Sequence, residues 1–175
     1  MKYKAHDYTR FGIMISLSLA ISIAESWLIP AVLFPVPGMR LGLANVVTLV
    51  SLYFFGIAPT LMIVVSRCIL AFAFGGNLVA FLFSLLGGLC SLTVMHFLIR
   101  RRHYSVFGVS VGGAAAHNVG QILAAVILTR TIDMVAYLPV LLLVSLLTGS
   151  LIAIAFIPIY KACIIADKNR GRDLY

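Results

Sequence analysis

The chain has 175 residues, 62% of them hydrophobic and 10% charged, with a mean hydropathy of +1.12. That much apolar surface on so small a chain argues against a water-soluble globule and makes the bilayer its solvent. The formal charge of +8 would suit a nucleic-acid partner, but its placement argues otherwise. Lys2, Lys4 and Arg10, then Arg100, Arg101 and Arg102, then Lys161, Lys168, Arg170 and Arg172 all abut apolar segments, as the positive-inside rule expects of membrane-flanking loops.

A spanning helix needs about 20 mainly apolar residues. Six runs near that length predict an all-α membrane domain over residues 1–175, with helices over 11–29, 41–55, 59–74, 78–98, 106–129 and 135–160. The first could pass for a cleaved signal peptide, with a basic start, an apolar stretch over 11–21 and small residues at Ser22 and Ala24. The apolar run resumes after Glu25 with Trp27, Leu28 and Ile29, however, and makes a full span. At ~3.6 residues per turn, Ser18, Ser22 and Glu25 lie opposite a strip of small residues, Ser16, Ala20 and Ala24. If the polar face points inward, the strip points outward, where four-residue spacing of small side chains suits docking by another helix. Close packing within one subunit, or plain lipid contact, is the alternative.

The connection over residues 30–40 contains Pro35, Pro37 and Gly38 and ends in Arg40, so it is not helical throughout. It is a candidate lid over an outward-facing pocket. The second and third runs are short. The second carries Asn45 and the third carries Arg67 near its middle. Ionisable groups at membrane depth normally face a protein interior or a wet cavity. Glu25 and Arg67 differ in height by about a turn or two, so they read equally as a structural ion pair or as part of a site for a polar or anionic ligand.

Asn77 precedes the fourth run. The fifth carries the densest polar group, and there Ser110, Ala114, His117, Asn118 and Gln121 share one broad face opposite Gly108, Gly112, Ala115 and Ala116. Loop charge orients the bundle: the N-terminus, the loop at 100–102 and the C-terminus hold ten Lys and Arg, the opposite side only Arg40 and Arg130. Both termini are expected in the cytoplasm. On this topology Asn45, Asn77 and Gln121 fall near the level of Glu25. With Arg40, Arg67, His117 and Asn118 they sketch an outward pocket, mostly apolar with a few orienting polar groups.

The three cysteines, Cys68, Cys90 and Cys163, have no metal or disulfide spacing. There is no DDxxD run to hold magnesium on a diphosphate and no Walker A sequence. No catalytic residue, metal or cofactor is expected, and the chain reads as a binding protein and not as an enzyme.

The string Pro37, Gly38, Met39, Arg40, Leu41, Gly42, Leu43, Ala44, Asn45 and the later His117, Asn118, Val119, Gly120, Gln121 resemble a known family over essentially the whole chain. It is the family labelled heptaprenyl diphosphate synthase component I, also called Gx transporter proteins. That family is similar to the substrate-binding S components of energy-coupling factor vitamin transporters. The resemblance implies a six-helix fold with an outward pocket closed by the first loop, and an alanine-spaced docking strip that Ala20 to Ala24 match. It makes Asn45, His117, Asn118 and Gln121 ligand contacts. It also implies partners: a small-molecule substrate, a separate transmembrane coupling protein and its ATPases, in a bacterial cell membrane. The synthase label sits poorly with the missing metal-binding carboxylates and implies at most an accessory subunit. Relatives also resemble membrane parts of flavin-linked electron export systems, but no haem-ligand pattern or flavin attachment motif is present.

Overall fold

The computed structural model describes residues 5–28, 38–101 and 103–168. Among them every regular element is helical: α1 (Ala5–Leu28), α2 (Asn45–Phe55), α3 (Ile57–Ala73), α4 (Leu78–Arg100), α5 (Val106–Thr129), a 3-10 turn over Ile132–Tyr137, and α6 (Leu138–Lys168). Four stretches, Asp7–Trp27, Leu78–Arg100, Val106–Thr129 and Ile132–Ala162, are long and apolar enough to cross a membrane. The other two, α2 and α3, are apolar but have only 11 and 17 residues.

The outer surface of the bundle is apolar, and its interior mixes apolar clusters with many polar side chains. On α5 the exposed side chains include Val119, Leu123 and Ile127, and on α6 Leu143, Leu147 and Leu151, each set at four-residue spacing. The interior holds Ser18, Ser22, Glu25, Asn45, Thr48, Ser51, Arg67 and His117. Lipid tails are as apolar as a leucine core, so nothing drives leucine inward; small and polar side chains take the helix contacts instead. Two contacts are close enough to require glycine. A Cβ on Gly120 of α5 would stand 2.6 Å from the Leu86 carbonyl of α4, and one on Gly149 of α6 would stand 2.5 Å from the Val111 Cα of α5. Both sides of α5 are therefore covered, and the Ser110 hydroxyl donates to the Gly149 carbonyl at 2.7 Å.

The short α2 is the centre of the bundle. It touches α1, α3, α4, α5 and α6, and every residue from Asn45 to Leu52 is buried. A helix surrounded in this way has no lipid face, so it need not match the bilayer in length. It starts at Asn45, not at 41, because Gly42 adopts φ +81° and breaks the helix there. Its far half packs Leu49, Val50 and Leu52 against Leu92, Met95, Val109, Ile152 and Phe156. Tyr53, Phe156 and Tyr160 close that end, with the last two rings stacked 5.2 Å apart. At the near end Met39, Phe83, Ile122 and Leu141 form a second, smaller apolar cluster. The polar residues lie between the two.

Candidate ligand-binding site

The two faces of α1 fall as the periodicity predicts. Ser18, Ser22 and Glu25 are at most 3% exposed, whereas Ser16, Ala20 and Ala24 are on the outer surface. Gly12 extends that outer strip by one more four-residue step, and a Cβ there would meet nothing within 4 Å. Glu25, near the end of α1, is a local anchor. Its carboxylate oxygens accept from the backbone N–H groups of Gly42 at 2.9 Å and Leu43 at 3.0 Å. A carboxylate at the start of α2 satisfies backbone donors that have no partner within the helix, and it complements the positive end of the helix dipole.

That anchor holds a non-helical segment, residues 38–44, deep in the bundle. Gly42 lies against the ring of His117, where a Cβ would come within 2.8 Å of Cδ2. His117 is near the midpoint of α5 (Val106–Thr129), so irregular backbone reaches mid-height of a spanning helix. Such backbone is tolerated at membrane depth only where protein or a cavity covers it. Gln121, one turn further along α5, supplies part of that cover. Its side-chain oxygen accepts from the Arg40 N–H at 2.7 Å and its nitrogen donates to the Arg40 carbonyl at 2.6 Å.

Arg67, on α3, is 3% exposed. Its Nη1 donates to the Ser22 hydroxyl at 3.3 Å, while its Nε and Nη2 have no hydrogen-bond partner among the described residues. Arg40 reaches the same serine, its Nη1 donating to the Ser22 carbonyl at 3.3 Å. Of the two readings of Glu25 and Arg67, the structural ion pair finds no direct hydrogen bond between them among the described residues. The carboxylate is engaged by the backbone N–H groups of Gly42 and Leu43. The non-helical turn before α2 presents the Gly42 and Leu43 N–H groups to the Glu25 carboxylate.

His117 and Asn45 complete the cluster. A Cβ on Gly87 of α4 would press on the His117 ring at 2.7 Å from Cε1, and one on the next residue, Gly88, would stand 3.1 Å from Nη2 of Arg67. The pair Gly87–Gly88 thus makes room for a histidine from α5 on one side and an arginine from α3 on the other. Among the described residues neither ring nitrogen of His117 makes a hydrogen bond of good geometry, although Gly87 abuts the ring. Among the described residues both polar atoms of Asn45 are also unpaired, as are the hydroxyls of Thr48 and Ser51 further along α2. Buried polar groups are almost always bonded, so a concentration of unpaired ones in one place needs a reason.

The structure thus brings together Glu25, Arg40, Asn45, Arg67, His117 and Gln121. Two other expected contacts serve elsewhere. Asn118 donates to the Leu141 carbonyl of α6 at 2.8 Å and its oxygen accepts from Gln121 at 3.4 Å, so it ties α5 to α6. Asn77 caps α4, accepting from the Ala80 N–H at 2.7 Å, at the rim of a small, partly open pocket that Arg40, Cys68, Phe72 and Ser84 also line. The candidate lid over residues 30–40 lies largely outside the described residues. Thr48 and Ser51 were missed by sequence reasoning, and Ser22 was placed on the inner face without a role. The three-residue spacing of Asn45, Thr48 and Ser51 on an otherwise apolar helix was the available signal.

Among the described residues no group of three His, Cys, Asp or Glu side chains comes together as a metal site would require. Fold and site together define an α-helical membrane protein with a polar site at the core of its bundle. A family model described as heptaprenyl diphosphate synthase component I matches residues 14–157, and the chain belongs to that family. No curated protein and no solved structure matches it.

Proposed function

We propose that this chain is the substrate-binding subunit of a small-molecule uptake system in a bacterial cytoplasmic membrane. The observation that carries the reading is the set of buried side chains Asn45, Thr48, Ser51, Arg67 and His117, eight of whose nine polar atoms lack a partner among the described residues. Discontinuous helices with polar groups at mid-membrane are how many transporters build substrate sites. Here the break at Gly42 and the start of α2 supply the same arrangement. The ten Lys and Arg of the termini and the loop at 100–102 place the mouth near Asn77 on the outer side. The exposed strip of Gly12, Ser16, Ala20 and Ala24 is the docking face for a separate transmembrane coupling protein driven by ATPases. Capture needs only binding and a conformational change, with no covalent chemistry.

A second reading draws on the family description: a non-catalytic membrane component that supports a prenyl diphosphate synthase. Native mass spectrometry of the gently purified protein separates the two. A retained metabolite that is lost in Arg67→Ala supports the binding subunit. A co-purifying prenyl synthase with no small molecule favours the accessory role. Docking has its own check: Ala20→Leu with Ala24→Leu is expected to abolish association with the coupling protein while leaving metabolite retention intact, and unchanged association sinks that claim.

A further inference from the structure

Arg67 and Arg40 converge on one serine, and their charges are poorly balanced. Within this cluster two guanidinium groups meet a single carboxylate, and both oxygens of that carboxylate are already held by the Gly42 and Leu43 backbone. Buried charge of one sign without a counter-charge is costly, and the cost falls when an anion enters. The atoms left open on Arg67 define the kind of anion. With Nη1 turned to Ser22, the unpaired Nε and Nη2 are the two donors on one edge of the planar group, and their N–H bonds point the same way. That edge forms the fork that binds two oxygens of a carboxylate or phosphate at once.

We propose that the site takes its ligand by an oxyanion group, a carboxylate or phosphate, seated on the Nε–Nη2 edge of Arg67. Arg40 supplies the second positive charge. His117 and Asn45 hold the ligand's uncharged polar atoms, since each has both a donor and an acceptor to offer. Gly88 is part of the seat, because a side chain there would press on Nη2. The pocket between α3 and α4 has Arg40 and Cys68, the neighbour of Arg67, in its wall and is the approach to it. The inference deepens the binding-subunit reading and rests on it.

The test is performed on the full chain in lipid nanodiscs. First, whatever molecule co-purifies with the wild type is released and identified, which needs no variant. A compound bearing a carboxylate or phosphate is expected. A neutral or cationic compound, lost in Asn45→Ala, would overturn the oxyanion seat while leaving a binding subunit intact. An anionic phospholipid would support the seat but remove the soluble cargo. Second, the melting temperature is followed with inorganic phosphate, pyrophosphate or benzoate against chloride at equal ionic strength. At least one of the three is expected to raise it where chloride does not. Arg67→Lys, which keeps the charge and loses the fork, should weaken that response by about ten- to a hundred-fold in apparent affinity, the loss of one charge-assisted hydrogen bond. An equal response in Arg67→Lys overturns the inference. No retained compound together with no response to any probe overturns both the inference and the reading beneath it.

Discussion

The two halves of α2 lie in opposite surroundings. Beyond Leu49 the helix is packed on all sides by Leu92, Met95, Val109, Ile152 and Phe156, with stacked aromatic rings closing the end. Before it, Asn45 lies with His117 around Gly42, and the polar atoms of Asn45 and Thr48 have no partner among the described residues. The closed half packs mainly through apolar side chains, with Ser51 its one fully buried hydroxyl, so it behaves as a clamp. The open half tolerates costly groups because the clamp holds them in place. A membrane protein that must present polar atoms at mid-depth needs such a division, since lipid gives an apolar core no reason to collapse by itself.

Substitutions that separate the halves should differ in what they damage. The largest effect is expected from Gly149→Val, whose new side chain would collide with the Val111 backbone and cannot be relieved by a rotamer change. Little monodisperse protein should survive size-exclusion chromatography, and a normal elution profile would refute the close α5–α6 contact. Next comes Phe156→Ala in the closed half. It should lower stability by about 3 kcal/mol in a denaturant titration, with ligand retention by the folded fraction unchanged. Asn118→Ala is expected to cost about 1–2 kcal/mol, because the Leu141 carbonyl loses its donor. If it removed bound ligand without any loss of stability, Asn118 would be a ligand contact after all and not a tie to α6. The smallest change in stability is expected from Thr48→Val in the open half, within about 0.5 kcal/mol or slightly stabilising, since the hydroxyl has no partner to lose. A large destabilisation there would mean that the hydroxyl is bonded within the fold.

Several of these contrasts were already legible in the residues. The inner and outer faces of α1 followed from a 3.6-residue period, because serine and glutamate at Ser18, Ser22 and Glu25 cannot face lipid without penalty. The limits of α5 were also clear, with Ser105 accepting from Gly108 at one end and Arg130 in a left-handed conformation at the other. The start of α2 was misplaced by four residues, since glycine at 42 is compatible with a helix and nothing along the chain reveals the positive φ it adopts between Glu25 and His117.

Composition and charge placement alone determined that the chain belongs in a membrane and that its polar side chains turn inward, because transfer cost acts on each residue separately. Helical periodicity further marked Ser22, Glu25, His117 and Gln121 as inward-facing polar residues. Which partner each one takes was decided only by the tertiary structure. Glu25 goes to backbone and not to Arg67, Gln121 to the Arg40 backbone, and Asn118 to α6, while Arg67, His117 and Asn45 keep open donors and acceptors. Hydrogen bonds act over about 3 Å, so pairing depends on where glycine lets helices approach and where backbone breaks, which no spacing along the chain specifies.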